Sequence, residues 1–430
     1  MTAQRYLCLA LPAALVAVGF RLDRTRRGRA AALLAFIAAA VGLSGLHELA
    51  RVAGWWRYPH VDGAFRGMPV DLWLGWAALW GAVPVLARRA LPVPVVLGLL
   101  LWLDAVAMPA LRPLVQLGPH WLAGELVGLV GVALPALLLG RWTADERRLR
   151  ARACLQLAVF TGVLLWLVPA AAFEYGDGTW PRLPLRWLLV AAQAGALLAV
   201  PGLAAMREFV TRGGGTPYPW DPPVRLVTTG PYAYLANPMQ ASAVALLGLL
   251  AAAARSPALA AAAVAAVAFS TAVAGPHERE DLIQRYGDEW TRYRSQVGNW
   301  WPRWRPYPGM PEAVLWLDIS CDPCRGVDGL LRRGRPLRLA LRAAAQHDPP
   351  LRRARYASGD RHEGRGVAAV ARALDHVNIG WAYLGWLLRV PGIDQLAQLV
   401  TDALIAPPHQ PTEGGRCPPI PGNGCSTAPW

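Results

Sequence analysis

The stretch Pro238–Gly275, PMQASAVALLGLLAAAARSPALAAAAVAAVAFSTAVAG, carries a single charge, Arg255. It decides the class of fold. Arg255 and Ser256 divide two apolar runs, each close to the roughly 20 residues that a helix needs to cross a bilayer. A helix on the surface of a soluble protein keeps one polar face, and neither run has one. A two-residue break leaves room only for a tight helical hairpin. The chain is therefore read as lying in a membrane.

Seven further apolar segments precede this hairpin: Arg5–Phe20, Ala30–Ala50, Pro69–Ala87, Leu91–Ala110, Trp121–Gly140, Ala153–Phe173 and Leu185–Met206. Over 430 residues the charged fraction is 17% and the hydrophobic fraction 54%. A soluble protein carries about 25% charged residues. After Gly275 the composition turns charged, aromatic and proline-rich. The expected fold is an all-α polytopic membrane bundle of about nine transmembrane helices, followed by a small α/β domain. The apolar run Leu7–Phe20 has its basic cluster behind it, the reverse of a cleavable signal peptide, so it reads as a signal-anchor first helix.

All 43 basic residues are arginine, against 28 acidic ones, for a net charge of +15. With the abundant alanine, this usage suggests a GC-rich bacterial genome. A basic excess can serve nucleic acid or an anionic membrane surface. Here it sits in short loops between apolar segments, which favours orientation in a lipid bilayer and disfavours nucleic acid as a partner. The loops 21–29, 88–89, 141–152 and 207–237 hold fifteen arginines, and the alternate loops hold eight. The richer side marks the cytoplasm. The expected placement is a multi-pass protein of the bacterial inner membrane, with its N-terminus outside and its C-terminal domain cytoplasmic. Trp55, Trp56, Trp73, Trp121, Trp142 and Trp180 fall at loop edges, where indoles anchor helices at headgroup depth. Asp71, Asp104, Glu125, His47, Glu48 and His120 lie in or beside apolar segments. An ionisable residue inside a membrane marks function by default, but these are close enough to helix ends to be read as interfacial.

The loop ahead of the hairpin contains Gly213-Gly214-Gly215-Thr216-Pro217, Asp221-Pro222-Pro223 and then Gly230-Pro231-Tyr232-Ala233-Tyr234-Leu235-Ala236-Asn237-Pro238-Met239. Glu278, Leu282, Tyr286-Gly287, Trp290, Tyr293 and Trp301-Pro302 follow it. A glycine- and proline-rich loop enters a hairpin, and an acidic amphipathic helix, Glu278 to about Ser295, returns beneath it. The stretch from 207 to 306 resembles the isoprenylcysteine carboxyl methyltransferase family. That resemblance implies S-adenosylmethionine as cofactor and an apolar or amphipathic methyl acceptor reached through the bilayer. It also implies cofactor-binding roles for Gly230, Tyr232, Tyr234, Asn237, Pro238 and Glu278. Ala233 and Ala236 stand where many members of the family have arginine.

The second motif is Leu315-Trp316-Leu317-Asp318-Ile319-Ser320-Cys321-Asp322-Pro323-Cys324. A strand-like run, 313–318, leads into Cys-x-x-Cys at the start of a helix. The helix N-terminus and nearby arginines favour a thiolate at the leading cysteine. Cys321 and Cys324 are the expected catalytic pair, one attacking and one resolving. The same spacing is also half of a zinc site; His347, His362 and His376, or Cys417 and Cys425, would have to supply the rest. The region 313–404 resembles the thioredoxin-like oxidoreductase family named for its Asp-Cys-Cys pattern, on Asp318, Cys321, Cys324, Arg355-Tyr356, Gly364-Arg365-Gly366, Trp381 and Gly385–Gly392. That resemblance implies a thioredoxin-like module and a thiol redox partner.

The domain plan from sequence is thus 1–206, transmembrane helices of unknown role; 207–306, methyltransferase-like; 307–312, linker; 313–406, thioredoxin-like; and 407–430, a disordered tail. The expected activity is methyl transfer from S-adenosylmethionine in a chain fused to a thiol–disulfide oxidoreductase module. The alternative is a membrane-tethered oxidoreductase beside an inactive methyltransferase region.

Overall fold

The computed structural model describes residues 2–176, 178–218 and 220–404. The expected tail, 407–430, and Cys417 and Cys425 lie outside the described residues. A helix covers each of the nine apolar segments: α1 Thr2–Leu22, α2 Arg26–Ala53, α3 Val70–Leu86, α4 Val93–Ala110, α5 Trp121–Ala144, α6 Leu149–Tyr175, α7 Leu185–Gly213, α8 Pro238–Ala254 and α9 Pro257–Ala272. Six of them, all but α3, α8 and α9, are long and apolar enough to cross a membrane. The other three are shorter apolar helices. The 17 residues of α8 extend about 25 Å at 1.5 Å per residue, short of a hydrocarbon core of about 30 Å.

The chain divides into two compact units. The first is Met1–Val227 with Pro238–Arg292, and the second is Thr228–Asn237 with Tyr293–Trp430. In the first unit α2 is the central helix. Its small residues Ala31, Ala32, Ala35 and Ala39 are buried. Without a hydrophobic drive between helices in lipid, small residues gain stability by letting backbones approach. Gly81 of α3 shows how closely: a Cβ there would sit 2.4 Å from the Ala35 carbonyl oxygen.

Four of these helices widen by one residue just before a proline. Val83 N donates to Ala78 O, Leu134 N to Leu129 O, Val168 N to Val163 O and Gly275 N to Ser270 O. Pro84, Pro135, Pro169 and Pro276 come next in the chain. A proline has no N–H, and its ring clashes with the carbonyl four residues back. A local π-turn relieves the clash and keeps the preceding N–H bonded. The helices therefore continue through prolines that would otherwise break them.

Buried charges tie the arginine-rich loops together. Asp221 receives Arg27 at 2.6 Å, Arg152 at 2.8 Å and the Thr216 hydroxyl at 2.8 Å. Tyr218 donates to the Ala30 carbonyl at 2.6 Å. The expected amphipathic helix is found as α10, Gly275–Arg294, bent at Gly287 where φ is +52°. The Tyr286 hydroxyl on it donates to the Pro223 carbonyl.

The second unit holds β1 Ala313–Leu317, α11 Asp322–Gly334, β2 Leu339–Ala343, β3 Arg355–Ser358, β4 Glu363–Arg365, α12 Val367–Leu374, α13 Ile379–Leu388 and α14 Ile393–Leu404. The sheet order is β2-β1-β3-β4. β1 runs parallel to β2, and β3 is antiparallel to both β1 and β4. Ala313, Leu315 and Leu317 alternate inward, as a half-buried strand requires. They pack with Leu331, Tyr356, Ala369 and Leu374. The stretch expected as a linker, 307–312, is packed inside this unit. Tyr307 and Met310 are buried, and Tyr307 N donates to the Ala233 carbonyl at 2.9 Å.

Candidate functional site

Asp318 follows β1 and shapes the turn into α11. Its carboxylate accepts from the Ser320 amide at 3.0 Å and from the Ser320 hydroxyl at 2.6 Å. Its carbonyl accepts from Cys321 N at 3.3 Å. Cys321 is the N-cap residue of α11, in an extended conformation, and Pro323 sits in the first turn. Proline suits that position because its missing N–H would be unsatisfied there anyway. This local geometry puts Cys324 one turn into the helix, beside Cys321. Both thiols are half-buried and free.

The two sulfurs are not equivalent. Burial, the neighbouring Cys321 sulfur and the negative charge of Asp318 push the Cys324 thiol up to about 12. Cys324 therefore keeps its proton. Both cysteines open onto a cavity of about 950 Å³. Its lining includes the apolar Leu317, Val327 and Val370 and the side chains of Arg352, Arg353, Arg355 and Arg365. Of these, only Arg355 and Arg365 were singled out in the sequence, as part of a pattern. Arg352 and Arg353 come from the β2–β3 connection, and no spacing tied them to the cysteines. Among the described residues no cluster of three metal-ligating side chains forms.

The residues expected to hold S-adenosylmethionine are distributed over both units. Gly230, Tyr232, Tyr234 and Asn237 belong to the second, Pro238 and Glu278 to the first. Gly230 takes a φ of +58°, which glycine adopts at little cost. Tyr234 is 0% exposed. Its hydroxyl donates to the Asp375 carbonyl at 2.8 Å, and its ring meets Trp386 edge-on at 5.9 Å. The Tyr232 carbonyl accepts from the Tyr293 hydroxyl at 2.8 Å. Ala236 N donates to Gly298 O, and Tyr234 O accepts from Arg303 N. The Gly-Pro-Tyr loop is thus a packed support for the second unit. Ala233 is fully buried, which leaves no room for the larger arginine at that position. Pro238 is buried at the start of α8. Glu278 is half-buried on α10, and burial raises its carboxyl above the usual carboxylate range.

The membrane carboxylates depart from the interfacial expectation in two places. Asp104 is 1% and Glu125 3% exposed. Asp104 accepts from the indoles of Trp76 at 2.9 Å and Trp80 at 3.1 Å. Glu125 Oε2 has no hydrogen-bond partner among the described residues. Tertiary packing buries both, although each lies near a helix end in sequence. Asp71 instead pairs with Arg5 at 2.6 Å, and Glu48 pairs with Arg51 and Arg66. His47 is buried, with Nε2 3.1 Å from the Arg66 carbonyl, and His120 is exposed.

No family model matches the chain, and no curated protein or solved structure is similar to it.

Proposed function

We propose that this protein is a membrane-anchored thiol–disulfide oxidoreductase. Its second unit is a thioredoxin-like module, and Cys321 and Cys324 are its exchanging pair. One observation carries the reading: two free cysteines, one helical turn apart at a helix N-terminus, open onto a substrate-sized cavity. The helix dipole favours negative charge at its first turn, where Cys321 is the N-cap residue. The sheet order, with a helix joining the parallel β1 and β2, supports the thioredoxin-like assignment. The arginine asymmetry supports nine crossings of a bacterial inner membrane, with the module in the cytoplasm. In that reducing compartment a cysteine pair serves exchange and not structural cross-linking.

The test uses full-length reduced protein in detergent and a model disulfide. Wild type consumes the disulfide, Cys321→Ser does not, and Cys324→Ser stops at a mixed disulfide. Equal consumption by wild type and Cys321→Ser would end the proposal.

A second reading is S-adenosylmethionine-dependent methyl transfer to an apolar or amphipathic acceptor. The loop sequence supports it, as does the half-buried Glu278 carboxyl. Tritiated S-adenosylmethionine bound by wild type and lost in Glu278→Gln is the expected result. No binding to wild type would remove this reading and leave the exchange proposal standing.

A further inference from the structure

The charge around the cysteine cavity selects among disulfides. Four arginines and two aspartates, Asp318 and Asp402, line it. Arg353 pairs with Asp402 at 2.5 Å, and Arg355 pairs with Glu363 at 2.8 Å. Asp402 is further occupied by Gln398 Nε2 at 2.7 Å, and Asp318 by the Ser320 donors. Arg352 and Arg365 have no acidic partner among the described residues and are exposed. The Arg355 Nε is buried without an acceptor among the described residues. Guanidinium groups thus outnumber carboxylates in the lining of a cavity that also holds the redox pair and apolar side chains. Guanidinium groups present paired donors matched to carboxylates.

Resting on the exchange reading above, we propose that the substrate is a small disulfide bearing carboxylates, seated with its anionic ends on Arg352 and Arg365. The cavity is the size of pockets that enclose small molecules. The Cys321 thiolate attacks one sulfur of the substrate, the substrate S–S bond breaks, and the first thiolate leaves. Cys324 then loses its proton, and its sulfur attacks Cys321 Sγ, releasing the second thiolate. The substrate gains two electrons and two protons. The Cys321/Cys324 dithiol supplies both and ends as a disulfide.

The experiment follows single-turnover oxidation of reduced full-length protein, with mass mapping of Cys321 and Cys324. The probes are dithiodiglycolate, neutral bis(hydroxyethyl) disulfide and cationic cystamine. Each rate is normalised to the same disulfide reacting with dithiothreitol. Two partly exposed charge pairs together produce a preference of roughly tenfold for the anion over the neutral probe. The preference falls in Arg352→Gln and Arg365→Gln, whose side chains are exposed, so the variants fold. It also falls in wild type at about 1 M salt, where the screening length is about 3 Å. Equal normalised rates for the three probes, or a cystamine preference, overturn the inference while exchange itself stands. No reaction with any probe overturns the exchange reading and this inference with it.

Discussion

Replacing Tyr234 separates the two roles available to the Gly-Pro-Tyr loop. Tyr234→Phe removes one hydroxyl and nothing else. Its 2.8 Å bond to the Asp375 carbonyl is fully buried. Losing such a bond costs about 1 kcal/mol, and more where the carbonyl finds no new donor. The expected loss is therefore about 1–2 kcal/mol. Tyr234→Ala also removes the ring and its edge-on contact with Trp386, and opens a cavity. Aromatic-to-alanine changes in cores cost about 3–5 kcal/mol. A difference of about 1.4 kcal/mol is tenfold in an equilibrium constant. Amide hydrogens of β1 and β3 that exchange through opening of this unit should thus speed up about tenfold in Tyr234→Phe. The factor should reach several hundredfold or more in Tyr234→Ala. The assay is hydrogen exchange with mass spectrometry on full-length protein in detergent, comparing peptides of 313–404 with those of α2 as an internal standard. Unchanged protection of 313–404 in Tyr234→Ala would refute the support role. So would a Tyr234→Phe variant with wild-type protection that had lost S-adenosylmethionine binding.

Asp375 offers a sharper stability test. It accepts from Arg389 at 2.9 Å on both oxygens and from Trp386 at 2.8 Å, with both charges buried. Asp375→Ala should cost about 3–5 kcal/mol in urea unfolding, because it strands a buried guanidinium; Asp375→Leu with Arg389→Met should cost much less. Cys324 is raised from 9.0 to about 12, so folding favours its protonated form. Its contribution is complete below about pH 9 and is lost as pH climbs toward 12. Thermal melts across that window should fall more steeply for wild type than for Cys324→Ala. At pH 8, iodoacetamide should label Cys321 before Cys324, and the reverse order would contradict the assigned roles. Asp104→Ala leaves the Trp76 and Trp80 indoles unsatisfied and should destabilise the first unit by about 2–5 kcal/mol, read by detergent unfolding. Gly81→Val should disrupt α2–α3 packing, whereas Gly98→Ala, with open space around it, should be silent.

Composition and periodicity were enough to read much of the architecture. Nine long, predominantly apolar runs, of which 238–254 carries no charge, read as membrane helices from the residues alone. The alternation of Ala313, Leu315 and Leu317 ahead of Cys321 marks a strand running into a helix, and the structure has both. Those signals are local, carried by neighbours in the chain. The apolar runs read straight through the prolines at 84, 135 and 169, but the π-turn that carries each helix past them is visible only in the structure. What only the tertiary structure decided is what each polar group faces. Tyr234 reads as a ligand in its motif, yet its hydroxyl meets a carbonyl 141 residues away. Asp104 and Glu125 read as interfacial, yet neighbouring helices bury both. Arg352 has no pattern in common with Cys321, and it reaches the same cavity only because β3, which it precedes, lies beside β1. A sequence records which side chains exist and how they repeat. Which of them share a dielectric and a partner depends on contacts between distant residues, and those contacts exist only after folding.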